Sequence, residues 1–366
     1  MRVSVLNPDG SPAMPTKPSR ARRWLKAGKA KVVHNDLNLF CVQLICEPSG
    51  YEVQDIALGI DPGKMFTGIG VQSSRFTLFT AHLILPLQAI TKKMNGRRIL
   101  RRARRARRIN RKVAFHLRAH RQKRFSNRRQ GKLPPSIRAN RQMELRVTKE
   151  LIKHFPVSDI RYEVVKARTE KGKGRGFSPV MVGQKFMFQW LEELCPTVSQ
   201  EGWQTSTLRR QLGLAKDKGD KSKQIPETHA NDGIALAASH FMSYQSFQSS
   251  NGRGHHWQGQ VTVTKSVFRV ISRPNLYRRQ LHFENPVSGV TGNRKRKGGT
   301  ITPFGFRSGD LVRAKKSGKT VLGWIGGYSE ATKVVSVYDI NWRRYGQFKA
   351  SKVELLQRST RLCVSR

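Results

Sequence analysis

ALGIDPGKMFTGIGVQSSRFTLFTAHLIL (Ala57–Leu85) contains three apolar runs parted by short polar breaks. ALGIDPG (Ala57–Gly63) reads as a buried strand entering a tight turn. TGIGVQS (Thr67–Ser73) and RFTLFTAHLIL (Arg75–Leu85) follow closely enough to pair with it as hairpins. Three adjacent antiparallel strands at the start of a domain predict an α/β fold with a mixed sheet. Upstream, RVSVL (Arg2–Leu6) alternates like a strand and NPDG (Asn7–Gly10) is a turn. SRARRWLKAGKAKVVH (Ser19–His34) predicts a short helix capped by Ser19 and stopped by glycine, and LNLFCVQLIC (Leu37–Cys46) a further strand. Downstream, residues 126–140 read as a loop, Arg141–Phe155 as an amphipathic helix, and DIRYEVVKA (Asp159–Ala167) as a strand centred on Glu163. KFMFQWLEELC (Lys185–Cys195) and HANDGIALAASHF (His229–Phe241) read as helices. Beyond about Asn251 helical periodicity fades. Arg307–Asp339 has short strands with frequent turns, which predicts a small β-barrel.

The 366 residues carry 70 Lys and Arg against 23 Asp and Glu, a formal charge of +47. Self-repulsion on that scale weakens a compact fold unless a polyanion neutralises it. Nucleic acid is therefore the expected partner. A membrane surface is the other polyanion, but no run of 18 apolar residues and no basic amphipathic helix with a clean apolar face is present. The opening residues show no apolar leader segment. Cys41, Cys46, Cys195 and Cys363 are scattered and make no zinc-ligand spacing. A reducing cytoplasm is the expected compartment, with the protein associated with nucleic acid.

Much of the charge is concentrated in NGRRILRRARRARRINRKVAFHLRAHRQKRF (Asn95–Phe125). Asn95 is placed to cap a helix. Ile99, Ala103, Ala106, Val113 and Leu117 recur at helical spacing, and arginine covers most of the rest. A helix over Gly96–Phe125 would be about 45 Å long. Its arginines repel one another at i, i+3 and i, i+4, so phosphates are needed to straighten it.

In so basic a chain, three carboxylates stand out. Asp61 ends an apolar strand, Glu163 sits mid-strand, and Asp232 lies one turn into an apolar helix with His229 on the same face. Singly, each has an ordinary structural explanation: a turn residue, a solvent-facing glutamate, a capping histidine. Together they suit metal chemistry. Two divalent cations about 4 Å apart clamp the attacking water and the leaving oxygen of a phosphodiester. Mg²⁺, with Mn²⁺ as an alternative, prefers a few carboxylate oxygens and leaves room for phosphate and water.

GIDPGKMFTGIGV (Gly59–Val71), IRYEVV (Ile160–Val165) and HANDGIALA (His229–Ala237) resemble, in this order, the three split motifs of a RuvC-type nuclease in the RNase H-like fold. The resemblance implies Asp61, Glu163, His229 and Asp232 as catalytic and metal-binding residues. The arginine-rich insertion resembles the bridge helix of RNA-guided nucleases. SPAMPTKPSRARRWLKAGKAKVV (Ser11–Val33) is similar to the PLMP domain of IscB-family proteins, with Ala13 in place of the leucine of that name. IscB proteins carry an HNH domain between the glutamate and HxxD motifs. Here only 65 residues separate Glu163 from His229, and none is histidine. The chain therefore resembles IsrB, the HNH-lacking branch of these transposon-associated (OMEGA) systems, over about residues 1–245.

That resemblance implies a PLMP-like module over 1–52, RuvC segments over 53–92, 127–196 and 197–250, a bridge helix over 93–126, and a β-rich domain over 251–366 that contacts the target-adjacent motif. It implies a prokaryotic protein, monomeric within a ribonucleoprotein. The partners are a structured guide (ωRNA) and double-stranded target DNA opened as an R-loop, with the RuvC site nicking the displaced non-target strand. Arg97, Arg98, Arg101, Arg102, Arg104, Arg105, Arg107, Arg108 and Arg111 are the candidates for guide and heteroduplex phosphates. Arg20, Arg22, Arg23, Lys26, Lys29 and Lys31 are candidates in the first module. Lys315, Lys316, Asn341, Arg343, Arg344 and Gln347 have the donors needed to read bases at the C-terminal end. Trp342, Tyr345 and Phe348 fit either base stacking or a barrel core, and His255-His256 reads as a surface loop. Three other classes stay open: a guided DNA-binding protein that does not cut, a structural RNA-binding protein, and a guide-free RuvC-type nuclease.

Overall fold

The computed structural model describes residues 1–107, 110–117, 131–166, 178–216, 226–250, 252–274 and 301–365. β1 (Val3–Leu6), β2 (Pro12–Thr16), α1 (Pro18–Lys26), β3 (Ala30–Val33) and β4 (Cys41–Leu44) build an N-terminal module. Its sheet runs β2-β1-β4-β3, and Val3, Val5, Ala21, Ala30, Val42 and Leu44 form its core. α1 starts one residue before the expected Ser19 cap: Lys17 is the N-cap and Pro18 the first helical residue, where the missing N–H costs nothing.

Ala57–Leu85 folds as the expected antiparallel meander of β5 (Ile56–Pro62), β6 (Phe66–Ser73) and β7 (Thr77–Ile84). α2 (Leu87–Arg107) and α3 (Pro135–His154) follow. β8 (Asp159–Val164) pairs parallel with β5, and after α4 (Pro179–Glu192), β9 (Thr197–Glu201) pairs parallel with β8. α5 (Gly202–Gln211) and α6 (Pro226–Ala238) lead to a separate hairpin, β10 (Met242–Ser249) and β11 (Gly252–Gly259). The chain then returns to the central sheet with β12 (Val267–Ser272) beside β7. β13 (Leu311–Lys316), β14 (Lys319–Ser329), β15 (Val334–Tyr338), β16 (Arg344–Lys349) and β17 (Val353–Gln357) make a second sheet, before β18 (Cys363–Ser365) joins β12. The central mixed sheet is therefore ordered β18-β12-β7-β6-β5-β8-β9.

Period-two alternation decides what covers each side of this sheet. Leu58 and Ile60 point to one face, in a core with Met143, Val147 and Leu151 of α3 and Met187 and Leu191 of α4. Gly59, Asp61, Gly68 and Gly70 point to the other, as the register Gly59↔Gly70 and Asp61↔Gly68 requires. α6 lies directly on those glycines. A Cβ at Gly59 would overlap the Gly233 carbonyl, one at Gly68 the His229 carbonyl, and one at Gly70 the backbone at Gly233–Ile234. Absent side chains let the helix approach the strand backbones and carry its own residues down to Asp61.

Several expectations need correction. The arginine-rich helix begins at Leu87, not beside Asn95, because Leu87 is buried with Leu133 and Ile137 and fixes the start straight off β7. It reaches Arg107. At Asn110 the side-chain oxygen accepts the Lys112 N–H at 3.0 Å, a local turn that competes with helix. The expected apolar stripe is not covered: Ile99 and Leu117 are 62% and 67% exposed. α3 starts at Pro135, inside the expected loop, because Ile137 and Ala139 already bury. The C-terminal β-region curls as a small barrel does, bringing β13 against β16, but the described strands do not hydrogen-bond into a closed ring. Its pairing, β16-β15-β14-β13-β17, leaves β16 and β17 as edges around a core of Val312, Ile325, Val335, Val337 and Phe348. Nor is 251–366 separate from the rest, since β12 and β18 belong to the central sheet. His255 and His256 lie on β11 rather than in a loop. Among the described residues, no helix is long and apolar enough to cross a membrane.

Candidate functional site

Sheet register assembles the site. His82 on β7 pairs with Gly68 on β6, and Gly68 pairs with Asp61 on β5. Ile60 pairs with Tyr162 on β8, so Asp61 and Glu163 follow on neighbouring strands and the same face. Glu163 pairs with Gln200 on β9. A row His82–Gly68–Asp61–Glu163–Gln200 thus crosses five strands. α6 lies over it, with the His229 backbone against Gly68 and Asp232 buried. The four residues singled out from the sequence lie at this one place.

Their charges interact. Burial first, then the Glu163 and Asp232 carboxylates, hold the Asp61 carboxyl well above the usual carboxylate range. Burial also raises Glu163, while a hydrogen bond from Thr205 on α5 pulls it down. Two cations face Asp232: Lys216 Nζ donates to Oδ2 at 2.6 Å, and the buried Arg209 Nε stands 3.3 Å from Oδ1. His229 is kept toward its neutral form by burial, and its buried Nδ1 has no hydrogen-bond partner among the described residues. Its ring lies 4.9 Å from that of His82 and 5.4 Å from that of Phe66. Burial and the neighbouring His229 bring His82 down to about 4. Both imidazoles are thus neutral at pH 7.

The donor set suits a hard divalent cation. Burial and neighbouring carboxylates raise Asp61 and Glu163, so added positive charge is favoured there, and the Lys216 ammonium already meets part of that demand. Among the described residues no three such side chains converge tightly enough to enclose an ion. The fit therefore lies in the chemistry of the donors and in their common face.

A buried network stands behind the turn after β5. Arg141 on α3 donates to Tyr162 Oη at 2.9 Å and to the Gly63 carbonyl at 3.2 Å, and pairs with Glu144 at 3.0 Å. Thr67 donates to Glu144 at 2.6 Å, and Asn140 to the Lys64 carbonyl at 3.1 Å. The DPGK turn is held from beneath by α3. His82, Thr205, Arg209, Lys216 and this network were not singled out from the sequence. The one visible signal was a histidine at the centre of an apolar strand, TLFTAHLI (Thr77–Ile84).

The nucleic-acid candidates are dispersed. Arg20, Arg22, Arg23, Lys26, Lys29 and Lys31 are exposed on α1 and around β3, and Arg97, Arg98, Arg101, Arg102 and Arg104 are exposed on α2. Arg108 and the side chains of Arg105 and Arg107 lie outside the described residues, while Arg111 follows the helix as an exposed residue. Lys316 Nζ meets the Gln347 carbonyl at 3.4 Å, which brings β13 and β16 together, and Lys315, Asn341, Arg343 and Arg344 are exposed nearby in sequence. Phe348 is core, Trp342 stacks on Tyr338 at 5.0 Å, and Tyr345 is exposed.

No curated protein matches this chain. Two solved structures of Thermus thermophilus RuvC resemble it at 13% identity. One, in complex with a Holliday junction substrate, covers 51% of this chain and 92% of its own, with a TM-score of 0.27. The other covers 50% and 92%, with a TM-score of 0.25. Residues 3–180, which include the RRARR run at Arg101–Arg105, match the family model of the RRXRR proteins.

Proposed function

We propose that the protein is a RuvC-type, RNA-guided DNA endonuclease that nicks the displaced strand of its target. The observation that carries the nuclease assignment is the placement of Asp61, Glu163 and Asp232. Three carboxylates from β5, β8 and α6 share one sheet face in a chain of charge +47. The meander β7-β6-β5 continued by parallel β8 and β9 supports an RNase H-like core. RNA guidance is supported by the motif resemblance and by the exposed arginines of α1 and α2. The RRXRR family is itself associated with IscB- and IsrB-type proteins.

Asp61, Glu163 and Asp232, with His229, would hold Mg²⁺. When bound, the metal supplies the positive charge that activates a water and stabilises the leaving oxygen of a phosphodiester. The chain's own residues set the stage. Thr205 orients the Glu163 carboxylate. Phe66 and His82 pack the far side of the His229 ring, so that its uncharged imidazole keeps one place. Lys216 and Arg209 balance the Asp232 carboxylate.

The test is cleavage of a supercoiled plasmid library by the protein co-expressed with its flanking RNA. Guide-dependent conversion to nicked circle, lost with EDTA and in Asp61→Ala, is expected. Guide-dependent binding with no nick in either protein would leave a guided DNA-binding protein. Cleavage indifferent to RNA would leave a plain nuclease.

A further inference from the structure

The β10–β11 hairpin has no role in the proposed chemistry, and its composition is unusual. Met242–Gly259 contains no acidic residue and carries Tyr244, Phe247, His255, His256 and Trp257. An isolated two-stranded hairpin is marginal in water and needs support. Support comes at its base, where Trp257 is buried with Leu208 of α5 and Ala238 at the end of α6. Trp257 Nε1 donates to Thr207 on α5 at 3.2 Å, and Gln211 on α5 donates to the Trp257 carbonyl at 2.8 Å. Tyr244, paired across the strands with Trp257 and 5.0 Å from its ring, is half-buried against this cluster, and His255 beyond it is exposed. Tyr244 and His255 are parallel, 7° between planes and 5.2 Å between centroids. Trp203 stands edge-on to Tyr244 at 5.3 Å and is 50% exposed.

This aromatic row begins at the acidic site. Trp203 follows Gly202, where a Cβ would stand 3.0 Å from Glu163 Oε1. α5 therefore turns Thr205 and Arg209 inward to the carboxylates and Trp203 outward to the row. Glu201, beside Trp203, accepts its indole N–H at 2.8 Å and is ion-paired with Lys166. Exposed and half-buried rings side by side in an acid-poor strip of a strongly basic protein are what single-stranded nucleic acid uses, because every base has a face to stack and every phosphate seeks positive charge.

We infer that Trp203, Tyr244 and His255 form a stacking subsite for bases of the single DNA strand delivered to the Asp61–Glu163–Asp232 site. The inference rests on the nuclease assignment for its choice of DNA, but not for the existence of the subsite. Stacked bases would fix which phosphate reaches the carboxylates, so the rings set the cut position as well as affinity.

The test uses the full chain with EDTA present, so that binding is read without cleavage. Affinity for a short oligothymidylate is compared with that for an abasic strand of equal charge at elevated salt. The ratio isolates stacking from phosphate attraction. A preference for the thymidylate of about tenfold or more is expected from known base–aromatic stacking. It should fall towards unity in Trp203→Ala and Tyr244→Ala and survive in Trp203→Phe. Crosslinking of 5-iodouracil-substituted DNA should map to Trp203, Tyr244 or His255. An unchanged ratio in Trp203→Ala and Tyr244→Ala, or crosslinks only elsewhere, overturns the inference even if Asp61-dependent nicking is intact. Tighter binding of oligouridylate than of oligothymidylate overturns it in favour of a guide-RNA contact. Conversely, ring-dependent thymidylate binding in a protein that never nicks leaves the subsite standing and removes the nuclease.

Discussion

At the residue scale, the most demanding position is Gly68. Its α-hydrogen faces the His229 carbonyl, and a methyl there has no room except by lifting α6 from the sheet. Gly68→Ala is therefore expected to destabilise the protein by about 1–3 kcal/mol or more, as overpacking does. It should separate His229 and Asp232 from Asp61, which thermal unfolding and the nicking assay would both record. A melting temperature equal to wild type would refute the close contact. Arg141 and Glu144 make a second case. Both are almost wholly buried, and burial pushes the Glu144 carboxyl up even beside the guanidinium. Arg141→Met leaves that carboxylate without its partner and should cost about 3–5 kcal/mol. Arg141→Met combined with Glu144→Leu removes both charges and should cost less than the single change. Denaturant midpoints decide, and a double variant no better than Arg141→Met would show that the pair acts through its hydrogen bonds to Gly63 and Tyr162.

At the element scale, α2 differs from every other long helix. α3 buries a full stripe and α6 lies nearly flat on glycines, whereas α2 is held mainly at its start by Leu87. Ile99 and Leu100 are 62% and 61% exposed. Leu100→Gln is expected to leave the melting temperature of the RNA-free protein within what about 0.5 kcal/mol produces, the norm for surface changes. A clear fall would show the stripe packed against the chain itself.

For the whole molecule, charge and pH set the conditions of stability. His240, just past α6, lies 3.4 Å from Asp159 at the start of β8 and 3.6 Å from Asp55 before β5. Hydrogen bonding to Asp159 raises His240 above its ordinary 6.5, against opposition from burial and Arg161. A pKa higher in the folded state means that folding favours the proton. The stabilisation is then complete below pH 6.5 and fades as pH climbs through the raised value. Unfolding of wild type between pH 6 and 8 should thus lose a component that His240→Gln lacks, and parallel curves would disprove it. The +47 charge leads to a further expectation: RNA binding that weakens steeply with salt, with a slope reduced by about one per phosphate-contacting arginine removed from α1 or α2.

Local pattern made much of this protein legible in its sequence. The meander in Ala57–Leu85 follows from alternation and turn chemistry, and the acids stood out because carboxylates are scarce in so basic a chain. The acid-bearing segments β5, β8 and α6 were each recognisable from their own residues. What only the tertiary structure decided was non-local. Strand register put His82 in the same cross-strand row as Asp61, one strand removed, and α5, unforeseen as an element, brought Thr205 and Arg209 to the site. The return of β12 and β18 to the central sheet, and the start of α2 at Leu87, depend on partners far along the chain or on burial that no local window contains. Periodicity reports which face of a segment is apolar. The choice of partner for that face is made by packing among elements distant in sequence, and there the glycines of β5 and β6 proved decisive through the side chains they lack.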